Sequence, residues 1–233
     1  MIYQSWNILV ILMVAVAGYL LGNIQTALII SRIVFRDDVR LYGSGNAGST
    51  NMVRVYGKQY GIMTFMGDAG KALIAFLIGR LLGGALGLHT EDPALARSIG
   101  GCIAITAAVY GHCFPALYGF RGGKGAACCF AVMWCFCWQA ALGATIAFVL
   151  VFILTKRVSL VSMSAAVLFT VFVVICHSIG WIPKYLIWYT LACSLLVIIR
   201  HYANIGRLIR GQEGTLDLNG KPLQTQEHNK EEL

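Results

Sequence analysis

Between Ala126 and Thr155 the chain runs for about thirty residues without a charged side chain. As one helix at 1.5 Å per residue, that run is too long for a single crossing of a hydrocarbon core ~30 Å thick. The sequence therefore predicts two helices, 124–137 and 139–155, with one long tilted helix as the competing reading. Composition points the same way. Of 233 residues 58% are hydrophobic and 12% charged, and the mean hydropathy of +0.72 lies far above the soluble range.

Further apolar segments fall at 7–30, 59–86, 96–118, 158–178 and 182–200, which predicts an all-α integral membrane protein with about seven transmembrane helices. No Lys or Arg precedes Arg32, so the first segment lacks the basic start of a secretory signal and reads as a retained helix. Lys and Arg concentrate in the connectors after the first, third and fifth segments and in the tail. The opposite connectors hold only Arg97 and Lys184. The positive-inside rule then puts the N-terminus outside and the C-terminus in the cytoplasm. Residues 1–213 read as a single polytopic domain and 214–233 as a polar, mobile tail, with no internal repeat.

Charges within the second segment are costly in lipid and need partners. Asp68 and Lys71 stand three apart, on one helical face, and are expected to pair; Arg80 is expected to pair elsewhere in the bundle. The eight cysteines lie in apolar surroundings without paired CxxC spacing and read as small hydrophobes. His89, in the short acidic loop 87–95, and His177 read as structural or interfacial. Trp134, Trp138, Trp181 and Trp188 suit an interfacial aromatic belt.

Three polar stretches interrupt this pattern, all on the predicted cytoplasmic face. The first, LYGSGNAGSTNMVRVYGK, holds Ser44, Asn46, Asn51 and Arg54. Its Gly43 to Gly48 segment matches GxGxxG, but no strand precedes it, so dinucleotide binding is rejected. The second, GHCFPALYGFRGGKGAA from Gly111 to Ala127, gathers glycines around Lys124, which leaves backbone N–H groups and an ammonium open to an anion. It fails the P-loop pattern, because Tyr118 stands where a glycine is required and no Ser or Thr follows Lys124. The third, RHYANIGRLIRGQE, places His201, Asn204 and Arg207 at helical spacing. Basic runs interleaved with aromatics are absent, which argues against nucleic acid as a partner. A membrane site for phosphate follows. An anion transporter and a lipid-phosphate hydrolase or head-group transferase stay open as alternatives on these residues alone.

Taken in order, Ser44 to Arg54, Gly111 to Gly125 and Arg200 to Glu213 resemble the bacterial acyl-phosphate:glycerol-3-phosphate acyltransferase family, over about residues 5–213. The resemblance implies acyl transfer from an acyl phosphate to the 1-hydroxyl of glycerol 3-phosphate, giving lysophosphatidic acid and inorganic phosphate. It also implies a multi-pass protein of the bacterial inner membrane with its site facing the cytoplasm, membrane lipid as surroundings, and no metal or cofactor. Carried over by position, Ser44, Lys124, His201 and Asn204 are the implied catalytic residues. Gly45, Asn46, Asn51, Arg54, His112, Gly122, Gly123, Gly125 and Arg207 are implied for substrate and phosphate, with Asp68 and Lys71 as a structural pair. The chain departs from the family pattern at Ala72, where DxxKG has glycine, and within Ala126-Ala127-Cys128, where Cys128 stands in place of the threonine of GGKGxAT.

Overall fold

The structure, a computed structural model, describes residues 2–86, 92–218 and 222–223. Its regular elements are helices: α1 (Ile2–Gly22), α2 (Thr26–Val34), α3 (Ser49–Tyr56), α4 (Lys58–Ala85), α5 (Pro93–Cys113), α6 (Ala126–Phe136), α7 (Trp138–Thr155), α8 (Val158–Ser178), α9 (Tyr185–Arg200) and α10 (Tyr202–Ile209). Among the described residues, five spans are long and apolar enough to cross a membrane, and a sixth is added if α9 and α10, bent by 55°, count as one.

The long apolar run breaks into two helices at Cys137, whose backbone is extended. With 11 residues α6 is only ~16 Å long, about half the hydrocarbon thickness. The first segment also breaks, where one helix was expected. Asn23, Ile24 and Gln25 interrupt it, and the freed carbonyls find polar partners within the protein, as lipid demands. Gln25 Nε2 donates to Gly22 O (3.3 Å) and His112 O (3.2 Å), Asn23 Nδ2 donates to Tyr19 O (2.8 Å), and Ile24 O accepts from Lys71 Nζ.

Small residues set the packing of α1, α4 and α5. A Cβ added at Gly18 would lie 2.2 Å from Ala104 O, and one at Gly79 would lie 2.3 Å from Gly100 O, so these backbones touch directly. The main core is unusually rich in sulfur, with Cys102, Cys113, Cys128, Cys137, Cys176 and Cys193 packed among Ile105, Phe136 and Phe169. All eight cysteines are free thiols. His177 caps its turn through Nδ1 and Ile182 O at 3.0 Å. Arg80 stacks over Phe76 at 5.6 Å and makes no ion pair among the described residues, contrary to the expected pairing.

His89 lies outside the described residues. The described part of the C-terminal tail returns to the bundle, where Leu216 is buried and its N–H donates to Lys156 O at 2.8 Å. That contact closes the chain over the α7–α8 junction, on the face that carries the polar loops.

Candidate active site

The first polar loop is shaped by glycine and by one amide. Gly43 and Gly45 take left-handed backbone conformations (φ +58° and +68°), which lets the chain turn tightly before α3. Asn51, fully buried, accepts from Ser44 N at 2.9 Å through Oδ1 and donates to Val39 O (3.0 Å) and Tyr42 O (3.1 Å) through Nδ2. Its amide is committed to the loop, so Asn51 organises the site, and it also borders a cavity. At the start of α3, the Asn51 and Met52 amides turn back to Gly48 O, while Ser49 and Thr50 border the same cavity. Arg54 borders it one turn on, with no hydrogen bond or ion pair among the described residues. Ser44 and Asn46 stand at its edge, whereas Gly45 is exposed and outside its wall.

The second loop is held from several sides. Tyr19 donates to Phe114 O (2.7 Å), and Leu117 N donates to Asn23 Oδ1 (3.2 Å). Arg200 Nη2 donates to the carbonyls of Gly122 and Gly123, both at 3.2 Å, while its guanidinium stacks over Phe114 at 5.0 Å. Gly122 and Gly123 do not line the cavity. They lie against His112: a Cβ at Gly122 would be 2.0 Å from His112 O, and one at Gly123 would be 2.1 Å from His112 Nε2. Both glycines therefore serve the close packing of the loop. Gly125 (φ +85°) ends it and opens α6, and its cavity-facing neighbours are Ala126 and Ala127.

Beneath this loop sits a buried polar knot. Lys71 Nζ lies 2.8 Å from Asp68 Oδ1 and 2.9 Å from His112 Nδ1, and also donates to Ile24 O. Thr26 adds a hydrogen bond to Asp68 at 3.1 Å. His112 is thus a member of the knot that supports the loop, although its ring and Asp68 both reach the cavity wall.

The third motif supplies the far side. His201 Nδ1 lies 2.7 Å from Val197 O; a carbonyl only accepts, so Nδ1 carries the proton and Nε2 is left as an acceptor. Lys124 Nζ donates to Asn204 Oδ1 at 2.5 Å, and Asn204 Nδ2 donates to Glu213 Oε1 at 2.7 Å. Glu213 also accepts from Ser159 (2.6 Å) and from Arg207 Nε (2.8 Å). Arg207, expected on phosphate, is engaged with this carboxylate and is not part of the cavity wall.

These contacts set the local charge. Burial pushes the Lys124 ammonium down to about 8; nearby Arg207, Arg54 and Arg200 act in the same direction, and Glu213 opposes them. Burial alone would raise the Glu213 carboxyl, but hydrogen bonds from Ser159, Asn204 and Arg207 outweigh it and hold the group below the usual range. Arg200, Ser159 and Glu213 are the structural participants that sequence reasoning left without a role. Arg200 and Glu213 stand at the two ends of the third motif, a signal available in the sequence, whereas nothing in the sequence distinguishes Ser159 from other helical serines.

All of this opens on one cavity of about 210 Å³. One end is polar, with Ser44, Arg54, Lys124, His201 and Asn204. The other runs between helices past Phe65, Phe130, Met133, Phe148 and Phe169. The N-termini of α3 and α6 both border the polar end, and free N–H groups with the helix dipole favour an anion there. The arrangement can hold a molecule with an anionic head and an apolar tail.

Residues 12–211 match the family model for glycerol-3-phosphate acyltransferase, and the chain belongs to that family. It is 37% identical over 202 residues to a glycerol-3-phosphate acyltransferase of Neisseria meningitidis serogroup C / serotype 2a, covering 85% of this chain and 94% of the relative. The Clostridioides difficile protein of the same name is also 37% identical over 202 residues, covering 87% and 93%. Among solved structures, the chain is similar to PlsY, an integral membrane glycerol 3-phosphate acyltransferase. The glycerol 3-phosphate form gives a TM-score of 0.75 at 30% identity, covering 89% of this chain and 96% of that one. The lysophosphatidic acid form gives 0.73 at 29% identity over the same shares.

Proposed function

We propose that this protein moves a fatty acyl group from an acyl phosphate to the 1-hydroxyl of sn-glycerol 3-phosphate, giving lysophosphatidic acid and inorganic phosphate, the first acylation of phospholipid synthesis. The observation that carries the reading is one cavity that presents Arg54 and Lys124 at one end and apolar side chains at the other. It suits an acyl phosphate and an acylated product alike.

An acyl phosphate is already activated, so the site has to align the hydroxyl, stabilise the oxyanion and neutralise the leaving phosphate. In the proposed reaction the glycerol oxygen attacks the acyl carbon and the bond from that carbon to the phosphate oxygen breaks. The hydroxyl proton passes to a phosphate oxygen of the substrates. Arg54 and Lys124, with the amides at the start of α3 and α6, face the phosphates. Ser44, Asn46, His201 Nε2 and Asn204 orient glycerol phosphate. Arg207 acts through Glu213, which in turn holds Asn204. No metal or acyl-enzyme takes part.

Orientation belongs to the same proposal. Counting α1 and α2 as one crossing, then α4, α5, α6, α7, α8 and α9, gives seven, with the N-terminus outside and the C-terminus in the cytoplasm. Convergence of all three motifs and the Lys156–Leu216 contact on one end of the bundle supports a site facing the cytoplasm of the bacterial inner membrane.

The test uses purified protein in lipid with glycerol 3-phosphate and, in parallel, an acyl phosphate, an acyl-CoA and an acyl carrier protein thioester. Lysophosphatidic acid and phosphate released in equal amounts from the acyl phosphate alone, unaffected by a chelator, is the expected result. Turnover of a thioester instead, a required divalent ion, or an isolable acyl-enzyme would overturn the mechanism.

A further inference from the structure

Two hydroxyls in the apolar part of the cavity wall, Thr145 Oγ1 on α7 and Thr190 Oγ1 on α9, are buried and have no hydrogen-bond partner among the described residues. Threonines elsewhere in the bundle bond to the carbonyl one turn back: Thr64 to Tyr60 O (2.7 Å), Thr155 to Val151 O (2.7 Å) and Thr170 to Ala166 O (3.0 Å). The same local option exists at Thr145 and Thr190 and is not taken. Thr190 is fully buried, so bulk water does not satisfy it either. An unpaired hydroxyl between lipid-embedded helices is unfavourable unless something supplies its bond.

The two hydroxyls also share a depth. Thr190 stands eleven residues before His201, ~16 Å along α9, and Thr145 stands ten residues before the end of α7, ~15 Å from the polar face. Phe169, ten residues past Ser159 on α8, borders the cavity at the same level. Between this level and the polar end the wall is mostly apolar, with Phe148, Ala165, Ala166 and Val197; of the two serines there, Ser162 and Ser194, the latter is committed to Thr170 and Ala166 O. An apolar stem followed by a hydroxyl-lined pocket is the shape of a chain that carries oxygen far from its carbonyl.

Resting on the reading of this cavity as the acyl groove, we propose that its far end is a subsite for an acyl chain bearing a hydroxyl group well beyond the carbonyl end. A chain hydroxyl at this level can donate to, or accept from, a threonine of the wall and so pair a group left without a partner. A plain chain leaves both unpaired. The discrimination expected for recovering such a bond is about tenfold.

The experiment compares acyl phosphates of one chain length, plain or hydroxylated at a series of positions along the chain. Binding of the corresponding lysophosphatidic acids, measured by displacement, gives a readout independent of turnover. The expected result is a gain of about tenfold in kcat/KM and in product affinity at one narrow position. That gain should be lost in Thr190→Val or in Thr145→Val, which keep the side-chain shape, and kept in Thr190→Ser, which keeps the hydroxyl. No gain at any position, or a gain that survives both valine variants, overturns the proposal. If the wild type fails to turn over even the plain acyl phosphate, the acyltransferase reading itself has failed.

Discussion

The Lys124 ammonium is held at 2.5 Å by the amide oxygen of Asn204, eighty residues away, and not by a carboxylate. A neutral acceptor positions the cation without cancelling its charge. Asn204 is itself fixed by its other end, where Nδ2 donates to Glu213, a carboxylate that also borders the cavity but is occupied by Asn204, Ser159 and Arg207. The site thereby keeps a usable cation beside two helix N-termini.

A pH profile follows from that arrangement. Lys124 is charged below about 8 and neutral above it in the empty site. If its charge serves the phosphates, kcat/KM, which reports the free enzyme, falls as pH rises through about 8, approaching tenfold per pH unit. This group does not cause unfolding in that window. Its ammonium is disfavoured in the fold relative to an ordinary lysine at 10.5, so its deprotonation between about 8 and 10.5 favours the folded state. Thermal unfolding followed across the same range separates the two effects. Activity that stays flat to pH 10 would remove Lys124 from the chemistry.

Lys124 and Asn204 should also behave as one unit. Lys124→Ala is expected to lower kcat by about 10²–10³. Asn204→Ala releases the ammonium and frees Glu213 to draw it away, with a loss of similar size. The double variant then loses little more than either single one, so the coupling in a double-mutant cycle is about the size of one single loss, about 3–4 kcal/mol. Additive losses would show that the 2.5 Å contact is incidental.

How much of this was readable beforehand depended on whether a residue acts through its type or through its neighbours. Hydropathy located the membrane helices and the run at 124–155, because twenty apolar residues have few alternatives. Lys124, His201 and Asn204 were readable because polar groups at regular spacing beside lipid need a purpose. The loop-tying hydrogen bonds of Asn51 are not legible in sequence, because a buried amide that ties its own loop looks the same there as one that meets a ligand. The Arg207–Glu213 pair is hidden for the matching reason, since Glu213 approaches only once the chain has turned after α10. The break at Asn23 to Gln25 was hidden because its partners, Leu117, His112 and Lys71, come from distant segments.

Arg200 provides a test of loop positioning distinct from substrate contact. Its guanidinium spans two glycine carbonyls and stacks on Phe114, a geometry that lysine cannot reproduce. Arg200→Lys is expected to lower kcat by about 10- to 100-fold, through small displacement of Lys124 and the start of α6. The unfolding temperature should change little by comparison. A variant that matches wild-type kinetics would mean that the other ties of the loop, from Tyr19, Asn23 and Gln25, are sufficient.

The Asp68–Lys71 pair makes the opposite kind of prediction, one in stability. Both side chains are almost wholly buried, 2.8 Å apart, and the only carboxylate in contact with Lys71 is Asp68 among the described residues. Asp68→Asn leaves an ammonium in a membrane bundle with His112 and the Ile24 carbonyl for company, at a cost of about 3–5 kcal/mol. Removing both charges, as in Asp68→Asn with Lys71→Met, restores a neutral interior and should recover more than half of that loss. Unfolding in one detergent, followed for the two single variants and the double, checks the order. A double variant less stable than Asp68→Asn would show that the Lys71 links to His112 and Ile24 matter more than charge balance, and that the knot is held together by its lysine.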